Sequence, residues 1–252
     1  MGILNGLKNA LAFLTAIPVG MDEDGISQAA NYMPSFPIIG ALIGLAAGVL
    51  LWSFQAVLPS LIAGMLGLGF IQLLTGVHHA DGLLDFGDAM MILGSPEEKI
   101  RVMRDRQTGA GGLCLGLVVL SATAFSMATL DRSRVIQSLI VSEASSKFAM
   151  VFQAWAGSSA HKGLNTPFLQ AMHGKWRSMR LGIAFSLTLV ISLAALQVDG
   201  IAVVFAGLLV TAAMLVISKK EFGGVTGDVM GATNELVRLA SLLVILVISK
   251  WS

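Results

Sequence analysis

The stretch Phe36-Pro37-Ile38-Ile39-Gly40-Ala41-Leu42-Ile43-Gly44-Leu45-Ala46-Ala47-Gly48-Val49-Leu50-Leu51-Trp52-Ser53-Phe54-Gln55-Ala56-Val57-Leu58 contains no Asp, Glu, Lys or Arg. It is longer than the about 20 residues that a helix needs to cross a ~30 Å hydrocarbon core. Comparable apolar runs cover 61–77, 113–130, 181–198, 201–218 and 236–251. The run 135–155 is a weaker seventh because it carries Glu143 and Lys147, which are four apart in the favourable helical order and able to neutralise one another. The chain of 252 residues is 55% hydrophobic and 12% charged, with a mean hydropathy of +0.80. That is too apolar for a soluble domain of this size. The expected fold is all-α: a polytopic membrane helix bundle of about seven spans, forming a single domain over 1–252. The first apolar stretch, 3–17, is short, is interrupted by Asn5, Lys8 and Asn9, and ends at Pro18. It is expected to be an interfacial helix.

Counting Lys and Arg orients the bundle. With seven spans and a cytoplasmic N-terminus, twelve of the sixteen basic residues fall on the cytoplasmic side, and Arg132, Arg134 and Lys250 fall opposite. Omitting 135–155 would move the basic residues between Lys162 and Arg180 to the other face and spoil the asymmetry. The three long polar loops, about 78–112, 156–180 and 219–235, then share one face, so chemistry is expected there. A net charge of +1 excludes bulk attraction to nucleic acid. The single cysteine, Cys114, excludes a disulfide within the chain. The first residues lack a small-residue cleavage site and are read as mature protein. Gly6, where Ser or Thr is required, argues against myristoylation at Gly2.

Those loops carry the polar motifs. In His78-His79-Ala80-Asp81-Gly82-Leu83-Leu84-Asp85-Phe86-Gly87-Asp88, offsets of four and three place Asp81, Asp85 and Asp88 on one helical face. Like charges so close call for a cation, and hard oxygen ligands beside a phosphate-bearing substrate suit Mg²⁺. Downstream, Arg101, Arg104 and Arg106 precede Thr108 and the glycines Gly109, Gly111 and Gly112. Guanidinium forks and free backbone N–H groups at a helix start bind phosphoryl oxygens. Arg101 and Arg104, three apart, are expected on one helical face. The third motif, 221–235, places Asp228 and Glu235 on a common face, with Thr226 as a candidate helix cap. The inventory fits phosphoryl transfer at a membrane surface.

Five motifs, in order, extend this reading: Phe13-Leu14-Thr15 to Pro18; Phe36-Pro37-Ile38-Ile39-Gly40; His79-Ala80-Asp81-Gly82-Leu83-Leu84-Asp85 to Asp88; Met103-Arg104-Asp105 to Gly109; and Gly223-Gly224-Val225-Thr226-Gly227-Asp228 to Gly231-Ala232-Thr233. Together they span nearly the whole chain, which resembles the cobalamin synthase family, adenosylcobinamide-GDP ribazoletransferases. The resemblance implies a cell-membrane enzyme with cytoplasmic catalytic loops. It would join α-ribazole, or its 5′-phosphate, to adenosylcobinamide-GDP, giving adenosylcobalamin, or its 5′-phosphate, and GMP. It further implies that His79 acts with Asp81, Asp85 and Asp88, that Asp228 joins those three around Mg²⁺, and that Arg101, Arg104, Asp105, Arg106, Gly109, Lys147, Thr226 and Asp228 contact substrate. The implied partners are the corrinoid nucleotide, α-ribazole and the lipid bilayer, without nucleic acid, and a homo-oligomer is compatible with the chain. Two alternatives stay open at this point. A CDP-alcohol-type phosphotransferase also uses rows of membrane aspartates, but Asp81-Gly82 is followed by Leu83-Leu84 and not by an arginine. A metal-ion or small-solute transporter would use intramembrane acids such as Glu143.

Overall fold

The computed structural model describes residues 3–21 and 23–251. The readings made on Met1 and Gly2 lie outside the described residues. The fold is a bundle of helices with no strand among the described residues. Helix α1 (Ile3–Leu14) and helix α2 (Gly25–Asn31) lead through a 3₁₀ turn, Met33–Ser35, into α3 (Phe36–Phe54). Then come α4 (Ser60–Leu74), α5 (His78–Met91), α6 (Pro96–Met103) and α7 (Ala110–Thr129). The second half contains α8 (Val135–Ala156), α9 (Thr166–Met172), α10 (Arg177–Leu196), α11 (Asp199–Phe222) and α12 (Gly227–Trp251).

Among the described residues six helices are long and apolar enough to span a bilayer singly: α3 with its preceding turn, α7, α8, α10, α11 and α12. The remaining expected span, 61–77, forms α4, which has only 15 residues. Gly76 and Val77 both adopt left-handed backbone, with φ of 65° and 64°, and there the chain turns by 96° into α5. A β-branched residue pays about 1–3 kcal/mol for that conformation. The corner therefore marks a position that the packing over-determines. Beyond it, α5 runs across the end of the bundle, passing the first turns of α12 and α7 in succession.

The weak seventh candidate is the most buried of the spans. Helix α8 packs along α3 through Gly40, Gly44 and Gly48, one small residue per turn on a single face. A methyl group at Gly40 would land on the Glu143 carbonyl oxygen, one at Gly44 on the Leu139 carbonyl oxygen, and one at Gly48 within 2.8 Å of the Ile136 Cα. Close backbone approach through small residues supplies the dispersion that drives helix association where lipid removes the hydrophobic gain. Gly44→Val is expected to cost at least the upper end of the roughly 1–3 kcal/mol seen for overpacked cores, read as a lowered melting temperature in detergent. Gly69→Ala, where an added methyl meets nothing within 4 Å, serves as the control that leaves stability unchanged or raised.

The polar residues of α8 are neutralised within the bundle. Glu143, Lys147, Glu235 and Arg238 are all fully buried at 0% exposure. Lys147 Nζ lies 3.2 Å from Glu143 Oε2, as their spacing predicts, and 2.8 Å from Asn234 Oδ1. Arg238 donates to both Glu143 and Glu235, and Gln72 Nε2 donates to Glu235 Oε2 at 3.1 Å. At the end of the bundle away from α5, Arg134 pairs with Asp199 at 2.6 Å, and Arg132 stacks 4.3 Å from the Trp52 ring. At the α5 end the segments 78–112, 156–180 and 219–235 meet, through Arg104 with His161, Asn165 with Val225 and Lys99 with Glu221.

Candidate active site

Glycines let α5 lie directly on two helix N-termini. A methyl at Gly82 would meet the Asp228 carbonyl oxygen at 2.9 Å, and one at Gly87 would meet the Gly112 Cα at 2.9 Å. These contacts set Asp81 and Asp85 of α5 beside Asp228 in the first turn of α12. N-terminal helix ends carry unpaired N–H groups and the positive pole of the helix dipole, so they favour anions. Asp88 is already committed to one of them. Its two oxygens accept the Gly109 and Gly112 N–H groups, each at 2.7 Å, which docks the start of α7 onto α5.

The Asp85 carboxyl is pushed up to about 7, first by burial and then by the negative charges of Asp81, Asp228 and Asp88. That mutual repulsion fits a divalent cation in chemistry and charge. Among the described residues no group of three or more His, Cys, Asp or Glu side chains converges as a complete ligand set. Mg²⁺ does not require one, because it is commonly held by one or two carboxylates, waters and substrate phosphate. His79, one turn before Gly82, is buried. Its imidazole is held well below its ordinary range, first by burial and then by the positive charges of Lys147, Arg238 and His78. It is therefore neutral at pH 7, with Nδ1 unpartnered.

Beside the acids a cavity of about 440 Å³ opens between α1, α3, α5, α9 and α12. His79, Asp81, Asn165 and Asp228 form its polar wall, and Phe13, Met33, Phe36, Met150 and Phe168 are among its apolar lining.

The sequence matches the family described as cobalamin-5-phosphate synthase over residues 6–246. The chain belongs to that family. It is 36% identical to an adenosylcobinamide-GDP ribazoletransferase of Methanocella arvoryzae, an alignment covering 95% of this chain and 94% of the relative. A ribazoletransferase of the same name from Halorubrum lacusprofundi is 33% identical over 95% of this chain and 96% of its own length. One from Thermococcus kodakarensis is 33% identical over 94% and 96% respectively. No solved structure matches the chain. With membership of the cobalamin-5-phosphate synthase family, the CDP-alcohol and transporter alternatives fall away.

The remaining motif residues are distributed unevenly around the aspartate cluster. Helix α6 begins with a capping box in which Ser95 and Glu98 exchange side-chain and backbone hydrogen bonds, and it ends at Met103. Arg101 lies in the last turn of α6, and Arg104 is the C-cap, its N–H bonded to the Arg101 carbonyl at 3.2 Å. Arg101 is exposed and lies 4.0 Å from Glu98. Arg104, just past the last turn, brings a guanidinium nitrogen 2.8 Å from His161 Nδ1 and directs positive charge at Asp228. Arg106 is exposed, and Asp105 accepts the Gln107 N–H at 3.2 Å, shaping the turn before Gly109. Thr226 is the helix cap its sequence position suggests. Its hydroxyl accepts the Val229 N–H at 3.1 Å and donates to Met103 Sδ at 3.3 Å, tying α12 to α6. A Lys99–Glu221 ion pair joins α6 to α11. Lys147 is enclosed in the buried charge network beneath His79 and does not line the cavity.

Sequence reasoning missed His161, Asn165 and Phe168. They lie in or just after a loop with no recognisable motif. Asn165 Nδ2 donates to the Val225 carbonyl at 2.7 Å, and the Ala160 N–H donates to the same oxygen at 3.1 Å. Those bonds bring the loop onto the start of α12.

Proposed function

We propose that the chain is an adenosylcobinamide-GDP ribazoletransferase of the phosphotransferase type. It joins α-ribazole, or its 5′-phosphate, to adenosylcobinamide-GDP and releases GMP. The observation that carries this reading is the meeting of Asp81, Asp85 and Asp228 with a helix N-terminus, beside a cavity, at one end of a membrane bundle. A ribose hydroxyl oxygen attacks the phosphorus nearest the corrinoid, and the bond from that phosphorus to the oxygen of departing GMP breaks. The hydroxyl proton passes to a carboxylate of Asp81 or Asp228, which line the cavity. Arg104 and His161, on the far side of Asp228, hold pyrophosphate oxygens. One or two of the carboxylates of Asp81, Asp85 and Asp228, with substrate phosphate, would hold Mg²⁺, which would supply charge neutralisation to the pyrophosphate and the leaving group. Asp88 keeps α7 in place under the site. The neutral imidazole of His79 orients the hydroxyl. The excess of Lys and Arg on this face supports a cell-membrane protein with its reacting face in the cytoplasm.

The test is a product assay with purified protein, adenosylcobinamide-GDP, α-ribazole and Mg²⁺. Equimolar corrinoid product and GMP are expected, with loss on chelation and recovery on returning Mg²⁺. Formation of neither product would sink the reading. In the same assay Arg104→Lys is expected to lower turnover tenfold or more, because lysine keeps the charge but not the planar fork. Near-normal turnover would leave Arg104 as a topological anchor only.

A further inference from the structure

The apolar end of the cavity has a composition of its own. Phe13 comes from α1, Phe36 from the start of α3 and Phe168 from α9. Their ring centroids are 4.5 Å apart for Phe13–Phe168, 6.0 Å for Phe36–Phe168 and 6.2 Å for Phe13–Phe36. Met33 and Met150 complete this end. Elsewhere in the lining two buried polar atoms have no partner, His79 Nδ1 and Asn165 Oδ1. Both residues are more than nine-tenths buried and both line the cavity. Buried polar atoms are paired in native structures unless something else completes them. The cavity therefore asks for a molecule with one flat apolar end and one hydroxylated end.

We propose that this cavity binds the riboside co-substrate of the reaction argued above, on which the assignment rests. The aromatic base lies against Phe13, the partly exposed member of this ring cluster, and ribose hydroxyls meet Asn165 Oδ1 and His79 Nδ1. The volume of about 440 Å³ falls within the roughly 300–1,000 Å³ of small-molecule sites and is far too small for a corrin macrocycle. A guanine base would bring a hydrogen-bonding edge that phenylalanine and methionine leave unpaired. The dimethylbenzimidazole of α-ribazole has no exocyclic donor, and its methyl groups suit an aromatic and thioether lining. This orientation delivers the ribose to Asp81 and Asp228, where its hydroxyl reacts. The corrinoid nucleotide then approaches from the Arg104 side.

Leu164 lines the cavity while remaining 71% exposed, so enlarging it narrows the cavity without disturbing the core. In full-length protein in nanodiscs with Mg²⁺, Leu164→Trp is expected to raise KM for α-ribazole at least tenfold and leave KM for adenosylcobinamide-GDP within twofold. Calorimetric titration with α-ribazole alone should show a matching rise in Kd. Phe168→Ala should act in the same direction, with partial rescue by Phe168→Leu. If Phe168→Ala does not fold, the exposed Leu164→Trp variant still decides. Unchanged α-ribazole KM and Kd in Leu164→Trp, or a rise confined to the corrinoid nucleotide, would overturn the proposal. A wild-type protein that binds α-ribazole, loses that binding in Leu164→Trp and forms no product would instead overturn the assigned reaction and leave the cavity's ligand standing.

Discussion

Asp85→Asn is expected to lower turnover by roughly a thousandfold, the scale for losing one preorganised charged group from a polar reaction site, in protein that inserts and folds normally. The substitution is nearly isosteric, so packing against α12 is preserved while the charge is lost. Asp85 carries the shift that marks the cluster, its carboxyl standing near 7 because burial and the charges of Asp81, Asp228 and Asp88 disfavour ionisation. An unfolded aspartate titrates near ~3.9. The folded-state value is raised, so the stabilisation from this group in metal-free protein is complete below about 4 and is lost as pH rises through about 7. The asparagine variant, always neutral, escapes that loss. At pH 8 without metal it should melt at or above the wild-type temperature, and the two should converge near pH 4. Added Mg²⁺ should raise the wild-type melting temperature at pH 8 and leave the variant unmoved. Wild-type turnover in Asp85→Asn, or an equal Mg²⁺ response in both proteins, would remove Asp85 from the metal site.

Arg238→Met is expected to be the most destabilising single substitution outside the glycine seam. The guanidinium bridges Glu143 on α8 and Glu235 on its own helix, with all of these side chains fully buried. Methionine fills much of the volume but leaves two enclosed carboxylates facing Lys147 alone. Breaking a buried pair in this way costs about 3–5 kcal/mol, enough to deplete folded protein from the membrane. The double variant Arg238→Met, Glu235→Gln keeps the Glu143–Lys147 pair and a neutral network, so it should recover a large part of the melting temperature, because the penalty lies in the unpaired charge. A single Arg238→Met protein melting within two degrees of wild type would show that the network contributes little.

Much of the architecture is legible along the chain because the signals involved are local. Apolar run length marks the spans, the four- and three-residue spacing orders Asp81, Asp85 and Asp88, and Thr226 caps the helix it precedes. What escaped is non-local. The Phe13, Phe36 and Phe168 rings meet only because three elements converge at one end of the bundle, and no periodicity within one helix reports that. Glu143 pairs with Lys147 at the expected spacing, yet its stronger partner, Arg238, is 95 residues away. Asp88 shows the limit of side-chain chemistry read alone. A carboxylate suited to metal spends both oxygens on the start of α7.

The pairing of α8 with α12 also bears on how the chain is made. Residues 135–156 leave the ribosome with Glu143 and only one of its two cationic partners, Lys147, while Arg238 is still untranslated. At about 5–20 residues per second, the second partner arrives roughly five to twenty seconds later. During that interval α8 is a poor resident of the lipid phase, and it settles against α3 only as a provisional lodger until α12 follows it in. Biogenesis is thereby made contingent on completing the last helix. A nascent chain cut short before α12 keeps Glu143 and Lys147 as a neutral pair but leaves both without the hydrogen bonds that Arg238 and Asn234 of α12 supply.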